Sequence, residues 1–226
     1  MKNYHIHLLR HGLTAANAEG RYIGSTDLPL SEAGRQELTR LKQECEYPAV
    51  QRVYTSPLKR CTETAELLYP DLEVKKVDAL REYDFGVFEN RAILDLRNDP
   101  AFLNWLSQGM TAPPEGAESR ETFTLRYERG FQHILREMMA DGITRAAVIT
   151  HAGIITGLLA AHGVPQRENA MEWAVESGCG YTVSTSSQLW SMGEIFEVFD
   201  KLPSSREPDE TVYCGYQMID LPEDEE

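Results

Sequence analysis

The sequence predicts an α/β fold of three layers, α/β/α, with helices on both faces of a mainly parallel central sheet. Three segments share one plan: a short apolar strand, a small or polar turn, then a helix. They are His5–Leu9 followed by RHG, Arg52–Thr55 followed by SPLKR, and Ala146–Thr150 followed by HAG. Strands that alternate with helices build parallel sheets. From Trp173 the pattern turns strand-like, in WAVESGCGYTVSTS, EIFEVFD and TVYCGYQMID, which predicts antiparallel strands added near the sheet edge. With 226 residues the chain is long enough for one domain with a sizeable core, spanning 1–226.

The helix ends are readable. Ser31 is placed to cap a helix running through Gln36 to about Cys45, with Leu38, Leu41 and Cys45 on one face. Ser56 is expected to cap the next, with Pro57 at its first position and Leu58, Ala65 and Leu68 on its buried side. Ser119 caps a long helix whose apolar stripe is Phe123, Tyr127, Phe131, Ile134 and Met138, and Asp141-Gly142 ends it. Gly163 and Pro165 stop the helix that follows His151. Residues 83–118 are less regular, with a helix around Trp105 and the loop TAPPEGAES, and are expected to form a lid or cap insertion. Residues 204–226 read as a C-terminal extension ending in a solvated acidic tail, PEDEE.

The net charge of −14 argues against nonspecific binding to nucleic acid or to anionic membranes. An anionic ligand would need basic residues gathered locally. Cys45, Cys61, Cys179 and Cys214 form no C-x-x-C pair, so reduced thiols in a cytoplasm are expected, not a zinc ribbon or a thioredoxin-type motif. The N-terminus lacks the apolar run and cleavage site of a secretory signal. Ala146–Val164 carries no charged side chain, but its histidines and glycines read as a buried strand, a turn and a buried helix, not a membrane span.

Ligands of parallel α/β sheets bind beyond the carboxyl ends of the strands. Arg10 and His11 leave the first strand there, Ser56 and Arg60 the second, and His151 the third. These residues are expected to converge. Arg60 falls in the first turn of its helix, beside unpaired N–H groups that favour an anion. Arginine's planar fork matches phosphate oxygens, and phosphoryl transfer needs mainly positioning and charge stabilisation. The plausible ligand is therefore a phosphoryl group, attacked by His11. Glu82 in LREYDFG is the candidate proton donor, with Asp84, Glu89 and Glu118 as alternative acids. Arg10, Arg60 and Arg81 should favour its ionised form, so it is expected to act as an acid chiefly with a dianion bound. His5 and His7 have the H-x-H spacing of metal hydrolases but alternate along a strand with no acidic block nearby; structural strand histidines are expected. His133 and His162 read as helix residues without assigned function. Tyr22 and Trp105 read as packing residues that can also line a lid.

The blocks LLRHGLTAAN, RYIGSTDLPLSEAGR, TSPLKRCTETA, LREYDFGVFE, GAES and ITHAG, in this order over most of residues 5–160, resemble the histidine phosphatase superfamily in its phosphoglycerate-mutase-like branch. The resemblance implies a phosphohistidine on His11, phosphoryl oxygens held by Arg10, Arg60 and His151, and Glu82 as general acid. It implies help from Asn17 and from backbone around Gly24 and Ala152, with no metal or other cofactor. The run NAEGRYIGSTDLPLSEAGR is similar to the α-ribazole phosphatases and their broad-specificity relatives. Mutases differ at Leu13-Thr14, at Ala16 and at Ser25-Thr26, and carry a paired arginine where Arg120 stands alone. Phe88-Glu89-Asn90 departs from the phosphatase pattern, as do Ile155 and Thr156, and all three bear on the leaving-group pocket. The implied activity is hydrolysis of small phosphomonoesters, including α-ribazole-phosphate-like ones. A mutase or phosphotransferase using the same phosphohistidine is the alternative. The expected partner is a small phosphorylated molecule, with neither nucleic acid nor membrane; a homo-oligomer stays open.

Overall fold

The computed structural model describes residues 2–206. Its first half holds β1 (Asn3–Arg10), α1 (Ala15–Ala18), α2 (Glu32–Glu44), β2 (Cys45–Glu46), β3 (Arg52–Thr55), α3 (Lys59–Leu68) and β4 (Val74–Lys76). Then come α4 (Ile93–Leu96), α5 (Pro100–Ser107), α6 (Arg120–Asp141), β5 (Arg145–Thr150) and α7 (Ala152–His162). The last elements are β6 (Gly163–Val164), β7 (Gly180–Ser186), α8 (Ser187–Gly193), β8 (Phe196–Leu202) and β9 (Ser204–Ser205).

The main sheet runs β4-β3-β5-β1-β7-β8-β6. Its first four strands are parallel, and β7 pairs antiparallel with both β1 and β8. The short β6 lies parallel to β8 at the edge, while β2 and β9 form a separate two-stranded ladder. Alternation along the strands sends side chains to both faces. On one face Ile6, Leu8 and Val148 pack against Phe131 and Ile134 of α6 and Leu158 of α7. On the other Leu9, Val53 and Ile149 pack against Leu38 of α2 and Ala65 of α3. Two cores around one sheet produce the three layers. The uncharged window 146–164 is β5, a turn, α7 and β6, and among the described residues no helix is long and apolar enough to cross a membrane.

Caps fall where small hydroxyl residues precede helices. Ser31 accepts from Gly34 N, Ser119 from Thr122 N, and Gly142 closes α6 in the left-handed conformation. Ser56 departs from expectation. Helix α3 begins three residues later, at Lys59, with Leu58 as a cap lacking a side-chain hydrogen bond. The Ser56 hydroxyl lies 2.9 Å from His151 Nε2 instead, so a tertiary contact has taken the group that could have capped. A second departure is α8, a short helix between the two C-terminal strands, capped by Ser186. The segment before β7 holds a 3-10 turn at Ala170–Trp173, not a strand. The stretch TVYCGYQMID, Cys214 and the acidic tail lie outside the described residues; of the extension, β9 pairs with β2.

Residues 83–118 contain a 3-10 turn (Gly86–Phe88), α4 and α5. They have a small core of their own: Phe88, Leu96, Phe102 and Trp105, with Tyr22 and Phe85 against it.

His5 and His7 meet no acidic block; they belong to no three-residue group of metal-ligating side chains among the described residues. His7 is buried, with Nδ1 3.0 Å from Thr182 Oγ1 and Nε2 without a partner. Burial, with His5 and Arg145 adding to it, lowers its pKa to about 4. In the unfolded chain this histidine protonates near 6.5. Between those values the unfolded state binds a proton that the native state refuses, so stability falls as pH drops from about 6.5 towards 4. The full effect is roughly 3 kcal/mol. Replacing His7 with leucine should shrink the loss of unfolding free energy between neutral and mildly acidic pH, measured by urea denaturation of both proteins at each pH.

Candidate active site

The parallel strand ends are pinned side by side. His11 N donates to Thr150 O at 3.0 Å, and Ser56 N to Ile149 O at 2.9 Å. This brings residues from three separate stretches of chain to one point, as the topology requires. His11 Nδ1 lies 2.7 Å from Gly12 O, which places its proton there and leaves the lone pair on Nε2. Burial, then Arg60 and Arg10, hold the His11 pKa well below the ordinary imidazole value against the opposing pull of the Gly12 carbonyl. The ring is therefore neutral at pH 7, the form in which it is a nucleophile.

Arg60 is the centre of the site. It is 1% exposed. Nη1 donates to Thr26 O and Nη2 to Gly24 O, both at 2.7 Å. Nε donates to His11 Nε2 at 3.2 Å, and Nη2 lies 3.3 Å from His151 Nδ1. The two imidazole centroids are 5.2 Å apart. His151 immediately precedes α7, and burial with the neighbouring cations lowers its pKa well below the ordinary value. Ala152 opens α7, where amide N–H groups have no intrahelical acceptor. Arg10 is anchored by one nitrogen on Val175 O at 2.7 Å and borders the cavity in front of His11.

Glu82 lies in the same cavity wall. Its Oε1 accepts from Tyr83 N at 2.9 Å and its Oε2 from Gly153 N at 3.1 Å. Burial raises its pKa, outweighing the two N–H donors, Arg60 and Arg10. The expectation that the arginines would dominate is thus corrected. Arg81, which was to reinforce them, points its Nε at Asp78 O instead.

A buried neutral imidazole, two arginines and a second histidine around it, and a carboxyl of raised pKa are groups that could together bind and transfer a phosphoryl group. The whole-chain comparison agrees. The model of the histidine phosphatase superfamily, branch 1, matches residues 6–195. This chain belongs to that superfamily. It is 29% identical over 199 residues to the adenosylcobalamin/alpha-ribazole phosphatase of Salmonella typhimurium, covering 86% of this chain and 92% of that one. It is 31% identical over 160 residues to a Klebsiella pneumoniae protein named "Probable phosphoglycerate mutase GpmB", covering 68% and 72%. Among solved structures, the alpha-ribazole phosphatase of Shigella flexneri superposes with a TM-score of 0.72 at 25% identity, covering 88% of this chain and 96% of that one.

In this histidine phosphatase the three alternative acids have other roles. Glu89 accepts from the backbone N–H groups of Gly24, Ser25, Thr26 and Phe85 and from the Thr26 hydroxyl. It thereby fixes the loop whose carbonyls hold Arg60. A Cβ at Gly24 would sit 1.6 Å from Tyr83 O, so only glycine lets the two loops touch backbone to backbone. Gly24 gives its carbonyl to Arg60 and its N–H to Glu89, so it holds the cation and not the anion. Asp84 caps Gly86 N at 2.9 Å. Glu118 pairs with Arg126 and accepts from Asp84 N at 3.2 Å.

Arg126 is a residue that sequence reasoning missed. It reaches from α6 to the carbonyls of Ala79 (3.0 Å), Arg81 (2.7 Å) and Glu82 (3.3 Å). It clamps the strand of chain that carries the acid. Nothing in the local pattern marks it, because its partners are backbone atoms about 45 residues earlier. Asn17 is placed as N3 of α1, where its Oδ1 accepts from Thr14 N and Oγ1, leaving its amide as the group able to reach a ligand.

The cavity has a volume of about 700 Å³. Beyond Arg10 and Glu82 its wall carries several aromatic rings, Tyr22, Phe85, Trp105 and Phe123 among them, set between small and aliphatic residues, with Arg120 as a further cation. Tyr22, Phe85 and Trp105 meet edge to face at 5.2 to 6.4 Å.

Two substitutions outside the reacting atoms should be informative. Glu89→Gln replaces an acceptor-only carboxylate with an amide whose NH2 donor faces a ring of donors, so unfolding free energy should fall by about 2–3 kcal/mol and turnover should fall with it, read by denaturation and by an aryl phosphate assay. Arg126→Ala should lower kcat by roughly 10–100-fold while leaving the affinity for inorganic phosphate nearly unchanged, because it moves the acid and not the phosphoryl cradle.

Proposed function

We propose that the chain hydrolyses small phosphomonoesters in two steps through a phosphohistidine on His11. The neutral Nε2 of His11 in contact with Arg60, with a carboxyl of raised pKa close enough to feel both Arg60 and Arg10, is the observation that carries this reading. The phosphoryl oxygens displace the Arg60–His11 hydrogen bond and take up Arg10, Arg60, His151, the Asn17 amide and the Ala152 N–H. His11 Nε2 forms a bond to phosphorus as the ester P–O bond breaks, and Glu82 gives its proton to the leaving oxygen. Water then attacks phosphorus, its proton passes to Glu82, and the N–P bond breaks to release phosphate. No step needs a metal. The aromatic wall and the size of the cavity support a ring-bearing leaving group, such as the ribazole implied by the name of the Salmonella relative. Residues 83–118, whose core supplies Trp105 and Phe85 to that wall, act as the lid. The buried thiols Cys45, Cys61 and Cys179 support a cytoplasmic setting.

The relative named as a phosphoglycerate mutase favours a second reading, in which a substrate hydroxyl replaces water as acceptor. Product analysis separates the two. Inorganic phosphate from α-ribazole phosphate supports hydrolysis; conversion of 3-phosphoglycerate to its 2-isomer without phosphate release supports the mutase.

His11→Ala should abolish turnover of an aryl phosphate with a chelator present, and should also abolish the acid-labile phosphoenzyme trapped from wild type. Turnover surviving in the variant would refute the nucleophile. Glu82→Gln should slow an alkyl phosphate by about 10²–10⁴-fold but a nitrophenyl phosphate far less, since the nitrophenolate leaves without a proton. Equal losses on both substrates would remove Glu82 from the role of acid.

A further inference from the structure

One cluster of ligating side chains lies outside the catalytic cavity. His162 is the last residue of α7, the helix that His151 precedes. At 1.5 Å of rise per residue, that end lies roughly 16 Å from the catalytic end. There His162 meets Glu128 of α6 and Glu194, the residue that follows α8. His162 Nε2 is 2.8 and 3.0 Å from the two Glu128 oxygens. One ligand atom from each of the three residues lies within 4.8 Å of the other two. Among the described residues no other three metal-ligating side chains gather in this way.

Several features set this cluster apart from a surface group of carboxylates. The His162 and Glu128 side chains are 11% and 16% exposed, so their charges are only partly screened by water. His162 and Glu194 each have a further partner that orients them. The His162 ring rests against Trp190 and Phe196, and Gln132 Nε2 donates to Glu194 Oε1 at 3.0 Å. Such outer contacts are the usual support of metal ligands. Among the described residues neither glutamate forms an ion pair with a lysine or arginine. His162 Nε2 donates its proton to Glu128, and one proton offsets only half of the charge of two carboxylates; a metal ion would take the place of that proton on the Nε2 lone pair.

We propose that Glu128, His162 and Glu194 form a binding site for a divalent transition metal of the zinc type. One imidazole nitrogen and two carboxylate oxygens are ligands that zinc accepts, with water completing the tetrahedron. The imidazole selects against calcium and magnesium, which take oxygen ligands. Bond lengths of about 2.0–2.2 Å put tetrahedral ligand atoms ~3.3 Å apart, so Nε2 and Glu128 open slightly and Glu194 closes in. The ion ties α6, α7 and the end of α8 together. Its role is structural, because it sits at the far end of α7 from the reacting atoms.

The test is titration of the metal-stripped full chain with zinc chloride in a non-coordinating buffer, followed by calorimetry and by thermal unfolding. One equivalent should bind in the micromolar range. Zinc at a hundred times its Kd should raise Tm by about 5–10 °C. Cobalt(II) should give visible d–d absorption of a tetrahedral site. Glu128→Gln and His162→Ala should each weaken binding by at least ~10-fold and remove the cobalt spectrum, with circular dichroism and aryl phosphate turnover retained. Wild type that shows no saturable binding at millimolar zinc would overturn the proposal. Binding of equal strength in Glu128→Gln would overturn it too, by placing the ion elsewhere, for instance on His11 and His151.

Discussion

The site is organised around a buried guanidinium that has no carboxylate beside it. Arg60 is enclosed by the carbonyls of Gly24 and Thr26 and by two imidazoles, and among the described residues it forms no ion pair. A buried charge without an opposite charge is costly. Carbonyl dipoles offset part of that cost but not all. The remainder is a standing preference for an anion beside it. Burial, with the same positive field adding to it, holds the His11 and His151 pKa values well below the ordinary imidazole value, so both rings keep a lone pair available.

Holding a cation in that position requires the surrounding loops to be rigid. Glu89 gathers five donors from two loops, and Gly24 allows those loops to approach at backbone distance. Arg126 and Glu118 do the corresponding work on the acid side, fixing the carbonyls of residues 79–82 and the N–H of Asp84. Thus the carboxylates nearest in sequence to Glu82 act as scaffolding. Glu82 differs from them in its burial and in having only two backbone donors, which leaves burial as the larger influence and raises its pKa. Two kinds of carboxyl emerge from one short stretch of chain, one kind engaged in holding loops and one whose pKa is raised by burial.

Much of this was legible in the sequence, and the pattern of what was not has a physical origin. The three strand–turn–helix units decide which residues leave the sheet on the same side, so Arg10, His11, Arg60 and His151 could be brought together before any contact was known. The caps at Ser31, Ser119 and Gly142 followed from local chemistry and needed no tertiary information. Ser56 has the same local signature but a different fate, since His151 competes for its hydroxyl across 95 residues of sequence. Glu89 and Arg126 were not assigned their roles because both bind backbone groups, and backbone partners leave no mark on sequence composition. Helix α8 fills the seven residues between two strand-like segments, a stretch to which the sequence pattern assigned no element. The sign of the Glu82 shift was misjudged because charges can be counted from sequence and burial cannot.

The hydrogen bond from Arg60 Nε to His11 Nε2 has a consequence for specificity. In the free protein the lone pair that must attack phosphorus is already occupied by a donor. A neutral ester offers the guanidinium nothing better, and the nucleophile stays covered. A phosphomonoester brings oxygens of full negative charge, which form stronger bonds to the guanidinium than an imidazole nitrogen does. Taking Arg60 away from His11 uncovers the lone pair in the same movement that places phosphorus in front of it. Under the proposed mechanism, discrimination for a charged phosphoryl group is built into the resting arrangement, and selection of the leaving group falls to the cavity wall that includes Tyr22, Phe85, Trp105 and Phe123. The two halves of specificity rest on different parts of the chain: the first on the ends of parallel strands, the second largely on an insertion with its own small core.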